Sequence, residues 1–159
     1  MTALAWNDAY LLQQPRMDAT HREFVDLLGA VEQALDHAPE ALAERFAALL
    51  DHTIEHFAQE ERWMAAIGFA PENCHATQHK HVLDVLREVQ GVIGVTGDAQ
   101  ILRRLVGELA AWFPAHAQMM DAALAETMQA VGYDPETGTM TRPPAGAEPI
   151  TGCGSTACS

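Results

Sequence analysis

His56-Phe57-Ala58-Gln59-Glu60 lies inside a stretch, about residues 40–66, that reads as one long helix. A histidine and a glutamate four residues apart share a helical face, one turn above the other. That face is otherwise apolar, with Phe46, Leu49, Leu50, Thr53, Phe57 and Met64 at the same spacing. His56 and Glu60 are therefore expected to point into a core. A carboxylate there is costly unless something positive neutralises it. Arg45 and Arg62 are the nearby basic side chains, and both lie off the stripe. A metal ion is the natural compensator, provided other segments supply further ligands.

Outward from this stretch, three more amphipathic segments appear. A helix over about 19–37, with Asp18 as its cap, carries Phe24, Leu27, Leu28, Val31 and Leu35, with His21 one turn before Phe24. Pro15 is expected to keep the preceding arm, with Trp6, Tyr10, Leu11 and Leu12, out of that helix. After a stop at Gly68, Pro71 suits the first turn of a helix over about 71–92, whose stripe is His75, His79, Val82, Leu83, Leu86 and Val89. Gly91, Gly94 and Gly97 mark the next turn. Asp98 caps a fourth helix, about 98–130, with Ile101, Leu105, Leu109, Trp112, His116, Met119 or Met120, and Leu124 on one face. No β-branched alternation is seen. The expectation is an all-α, up-down-up-down antiparallel four-helix bundle over residues 1–131, with an N-terminal arm. Residues 132–159, rich in Gly, Pro, Thr and Ser, read as an extended or disordered C-terminal tail.

Composition narrows the class. The 159 residues suffice for one domain with a continuous core, and 48% are hydrophobic. A formal net charge of −13 argues against nucleic acid and anionic lipid as partners. Neither a membrane-spanning run nor a secretory leader is visible, so a reducing cytoplasm is the expected compartment. Three irregularly spaced cysteines form no disulfide framework. Cys153 and Cys158 read as incidental thiols of a flexible end, with a local disulfide or an extra metal or redox contact as the alternative. Cys74, beside His75, is expected to ligate nothing.

Each helix carries inward-facing ligand candidates: His21; His56 and Glu60; His75 and His79; His116. Asp121 follows His116 by five residues, which puts it about 140° away on a straight helix. Either it reaches across the bundle or the helix is locally over- or underwound, and Pro114 upstream makes irregularity plausible. One buried histidine is usually just a hydrogen-bonded core residue. Seven buried ionisable groups on four helices are hard to tolerate without a counter-ion. His37 and His81 are expected to be solvated, and His52, one turn before His56, is the one competing ligand candidate, its other expected role being to support the ligands or to sit at the bundle end.

The ligand types indicate what is held. Without a thiolate, structural zinc and iron–sulfur clusters are disfavoured. Five imidazoles and two carboxylates exceed the needs of one ion with an open position, and suit two ions bridged by the carboxylates. Two divalent ions, two carboxylates and one hydroxide nearly cancel in charge. Imidazole-rich sites take iron, zinc, copper or nickel, so spacing alone does not select iron. Glu72-x-x-His75 is the only pair of the ferritin-like kind, and that pattern needs two.

The pattern resembles the hemerythrins, most closely the single-domain bacterial kind. The resemblance covers about residues 4–130. It rests on Met17-Asp18-x-x-His21, His56-Phe57-x-x-Glu60-Glu61, Met64 with Gly68-Phe69-x-Pro71, His75-x3-His79 and Trp112-Phe113-x-x-His116-x4-Asp121, with Trp6-Asn7-x-x-Tyr10 in the arm. It implies a non-haem centre of two Fe ions with oxo or hydroxo and carboxylate bridges. His75, His79 and His116 would hold one iron, and His21 and His56 the other. Glu60 and Asp121 would bridge. The two-histidine iron is left one ligand short, and O2 would bind there in a dry pocket formed by Phe24, Phe57, Trp112, Phe113 and Ala117. The chain departs from the usual pattern after Trp112, with Phe113 in place of leucine and Ala117 in place of isoleucine. If the smaller Ala117 leaves a gap, Ala117→Ile should slow autoxidation.

Reversible O2 carriage, storage or delivery, without catalysis, is the function so implied. A di-iron enzyme of peroxidase, NO or oxidase type is the alternative, as is an O2 or redox sensor. Only the tail is left to meet a protein partner.

Overall fold

A computed structural model describes residues 2–144, 146 and 148–153. Helix α1 spans Pro15–His37. It starts four residues earlier than the expected boundary, with Pro15 inside it. Proline's fixed φ and missing N–H suit a first helical turn, and Gln14 caps it by accepting the Met17 N–H at 2.7 Å. Asp18 is thus no cap; its carboxylate accepts the Leu12 N–H and ties the arm to α1.

A short 3-10 turn, Pro39–Ala41, leads into α2, Leu42–Ile67. Gly68 ends α2 at φ +104°, a conformation that favours glycine. Helix α3, Cys74–Thr96, is displaced from the expected 71–92. Asn73 makes the better cap, accepting the Ala76 N–H at 2.9 Å, so Pro71 stays in the connector. Gly91 and Gly94 lie within α3, and only Gly97 turns the chain. Asp98 caps α4, Ala99–His116, as expected.

The fourth rod is not one regular helix. A π-helical segment, Ala117–Asp121, joins α4 to α5, Ala122–Val131. Pro114 inside α4 removes one backbone donor just upstream of the change in winding.

Helix α1 packs on α2 and α4, and α3 closes the ring against the same two, giving an antiparallel four-helix bundle. Two apolar clusters fill it. One contains Phe24, Leu28, Leu49, Leu86, Leu102 and Phe113. The other contains Met17, Trp63, Met64, Ile67, Leu124 and Met128. In α1, α2 and the α4–α5 rod, the ligand candidates fall between residues of the two clusters, so the centre is a polar layer with apolar packing on both sides.

The tail is without helix among the described residues, yet it is anchored. Ile150 pairs with Phe69 in an isolated bridge, the Ala70 N–H donates to Ile150 and the Cys74 N–H to Thr151. Arg142 donates to the carbonyls of Gln129 and Ala130 at the end of α5. Cys153 is fully buried and disulfide-bonded, so it is not an incidental thiol on a loose end. The expectation for Cys158 lies outside the described residues. No helix among those described is long and apolar enough to cross a membrane.

Candidate metal centre

All seven ligand candidates are buried, at 5% exposure or less. α1 contributes His21, α2 His56 and Glu60, α3 His75 and His79, and the fourth rod His116 and Asp121. On α2 and α3 the four-residue spacing puts each pair on one face. On the fourth rod the π segment does the same for residues five apart, because its hydrogen bonds run from i to i+5: the Ala122 N–H donates to Ala117. His116 Nε2 thereby comes within 3.1 Å of Asp121 Oδ1. The helix is underwound, and Asp121 belongs to the same face as His116.

The two carboxylates divide the imidazoles into two groups. Asp121 turns Oδ1 toward His75 and His116, at 3.0 and 3.1 Å, and Oδ2 toward His21 at 3.1 Å. Glu60 turns Oε1 toward His56 and His21, at 3.0 and 3.7 Å, and Oε2 toward His79 and His75, at 3.3 and 3.4 Å. Each carboxylate has one oxygen on each side. Donor atoms of Glu60, His75, His79, His116 and Asp121 all lie within 4.8 Å of one another, as do those of His21, His56 and Glu60.

These contacts are close without being hydrogen bonds. Only His56 Nε2 is aligned on a carboxylate oxygen, Glu60 Oε1 at 3.0 Å. Nε2 of His21, His75, His79 and His116, both Asp121 oxygens and Glu60 Oε2 have no hydrogen-bond partner. Buried polar atoms seldom go unpaired. Ligands at right angles around one ion, each about 2.1 Å from it, stand about 3 Å apart. The separations here fit that arrangement, and the atoms converge as metal ligands do. The donor set therefore fits a metal site.

The electrostatics of the side chains in this cluster follow from burial and pairing. Burial alone would lower the histidines, but the Asp121 and Glu60 carboxylates push His21 up to about 10 and His75 up to about 9. His79 is raised against its burial by Glu60 and Glu61. Burial prevails at His56 and His116, which are lowered. Burial raises Glu60 and Asp121, yet the surrounding imidazoles hold both well below the usual carboxylate range.

The remaining histidines stay outside. His52 meets Glu23 at 3.1 Å near the bundle surface, and His37 and His81 are exposed. The five pocket candidates separate. Phe113 packs edge-on to His21, with ring centroids 5.3 Å apart, and stacks on Phe24. Ala117 is fully buried in the same apolar cluster. Phe57 instead lies flat on His79 at 3.9 Å, and Trp112 stacks on His116 at 4.4 Å.

The sequence reading gave no role to two contributors, although Glu61 stands in one of the motifs quoted above. Glu61 Oε1 lies 3.3 Å from His79 Nδ1, and Gln78 Oε1 lies 2.9 Å from His116 Nδ1. Each is one residue from a ligand candidate, but polar residues beside a buried stripe are common, and no spacing rule singles these out.

The comparisons with known proteins agree with this geometry. The family model for the hemerythrin HHE cation binding domain matches residues 14–127. A bacteriohemerythrin of Ralstonia nicotianae is 37% identical over 134 residues, covering 84% of this chain and 95% of that protein. Bacteriohemerythrins of Pseudomonas paraeruginosa and Pseudomonas aeruginosa are 27% and 26% identical over 132 residues, 81% of this chain and 84% of theirs. No solved structure matches the chain. With the domain match spanning most of the bundle and a relative this similar over nearly its whole length, the chain belongs to the hemerythrin family.

Proposed function

We propose that this chain binds O2 reversibly at a non-haem di-iron centre, as an oxygen carrier, store or delivery protein in the cytoplasm. One observation carries the reading: Glu60 and Asp121 each present one oxygen to the His75/His79/His116 group and the other to the His21/His56 group. That is the arrangement two bridged ions require. Membership of the hemerythrin family, whose resemblance implies a di-iron centre, supports the choice of iron.

Bound iron would supply the reversible exchange of electrons with O2. The chain supplies the rest. Three imidazoles on one side and two on the other leave the His21/His56 side poorer in ligands. There the Phe24–Phe113 stack, with Ala117 in the same cluster, presents carbon and excludes water. Tyr10, packed edge-on against Phe113 at 5.7 Å, seals this side with the N-terminal arm. A dry pocket favours release of O2 unchanged, since protons and water would divert it. Phe57 and Trp112 pin the rings of His79 and His116 in orientation. The bundle carries every residue of this chemistry, and the tail braces it.

Anaerobic reconstitution with Fe2+, followed by air and then argon, tests the proposal. The expected result is two irons per chain and a visible absorption band that appears in air and reverses under argon. Rapid bleaching with product formation would favour the enzyme reading. Failure to take up iron would overturn both.

A further inference from the structure

The outer nitrogens of the five imidazoles are not treated alike. Nδ1 of His21, His56 and His75 has no hydrogen-bond partner. Nδ1 of His79 and of His116 each faces an acceptor, the Glu61 carboxylate and the Gln78 amide oxygen. Both acceptors serve imidazoles of the α3–α4 side, and among the described residues none serves the His21/His56 side. A carboxylate only accepts, so the His79 ring must carry its proton on Nδ1, leaving the Nε2 lone pair toward the centre. Glu61, with its side chain 47% exposed, supplies a full negative charge from the surface, whereas Gln78 supplies a dipole. An accepted ring N–H fixes the tautomer and makes the imidazole a stronger donor to a metal.

Resting on the di-metal reading above, we propose that Glu61 and Gln78 are positioning residues that act through His79 and His116 to widen the inequality that three imidazoles against two already set, so that the α3–α4 position fills first and holds its ion more tightly. The other position, whose histidines lack such partners, is the weaker and more labile.

The test is anaerobic titration of the metal-free protein with Co2+, followed by calorimetry and by the cobalt absorption bands. Wild type should take up two ions in two resolved steps. Glu61→Gln, nearly isosteric, should weaken the first step about tenfold and Glu61→Ala more, with the second step changed by less than about twofold. Gln78→Glu places a carboxylate on His116 and should tighten the first step, a gain that a merely structural residue would not give. Thermal melts of the metal-free variants should match wild type. If wild type binds two ions and every variant shares its two affinities, the proposal falls while the di-metal reading stands. If Glu61→Gln weakens both steps equally, the residue does not discriminate and the proposal falls. If wild type binds no pair of ions, the di-metal reading itself fails.

Discussion

At Ala117, a fully buried position beside the candidate centre, the chain has a small side chain where volume matters most. The larger Phe113 lies within the same cluster, stacked 5.1 Å from Phe24 and edge-on to His21. This favours compensation over a gap: one large and one small residue share the space of two medium ones. Ala117→Ile would then overpack, at a cost of about 1–3 kcal/mol. The expected outcome is a melting temperature lower by roughly 3–10 °C, read by circular dichroism, with autoxidation of the iron-loaded protein no slower than wild type. Slower autoxidation at unchanged stability would show that Ala117 does leave a gap. The ligand candidates themselves were legible because helical spacing and an apolar stripe are both written in the sequence. His56 with Glu60, and His75 with His79, needed nothing more. The split of the pocket was not legible, since Phe57 and Trp112 share stripes with His56 and His116 and only side-chain rotation places them on the imidazoles.

Among the elements, the fourth rod shows where local rules run out. Spacing identified Asp121 as out of phase with His116 but could not choose between a long reach and a change in winding. The π segment answers this, and it amounts to one extra residue absorbed into an α-helix. Met119 is its exposed large hydrophobic side chain, at 55%. Deleting Met119 should restore continuous α-helix, keep Asp121 on the His116 face at the new i+4 spacing, and leave Leu124 and Met128 in the core. A cooperative melt like that of wild type is expected, and loss of the folded far-UV spectrum would show that the π turn does more than absorb a residue. Helix starts erred for a related reason. Pro15 and Pro71 both suit a first turn, and only the competing caps, Gln14 and Asn73, decide which proline enters. Composition suggested a loose tail, because glycine and proline frequencies say nothing of backbone pairing at a distance. The pairing through Ile150 and Thr151 braces the connector before α3, the helix that carries His75 and His79. Three such backbone hydrogen bonds contribute about 1 kcal/mol each. Removing residues 147–159 should therefore lower the melting temperature by roughly 5–10 °C while iron still binds at two per chain. An unchanged melt would mean the tail braces nothing.

For the molecule as a whole, protein stripped of metal must balance the charge of this buried centre with protons. His21 at about 10 and His75 at about 9 are protonated at neutral pH, opposite the ionised Glu60 and Asp121. The sign of each contribution to stability follows from linkage. The two histidines are raised above their ordinary 6.5, so their stabilisation is full below that pH and is lost as pH rises through 9 to 10. The two carboxylates are depressed, so theirs is present above the ordinary carboxylate range and lost as pH falls below it. Metal-free protein should be most resistant to denaturant near neutrality, weakening toward both acid and alkaline pH. Metal-loaded protein needs neutral imidazoles, so its alkaline limb should flatten, while its acid limb stays because protons compete for the ligands. Loading must also expel the protons from His21 and His75, and any that the likewise raised His79 carries, about two or more per chain near pH 7. Calorimetric titration with Zn2+ in buffers of different ionisation enthalpy would count them directly. A count of two or more, with apparent affinity rising as pH rises, ties the buried acids and imidazoles to the metal; a heat independent of buffer would mean that this cluster holds no exchangeable protons and that its charge is balanced in some other way.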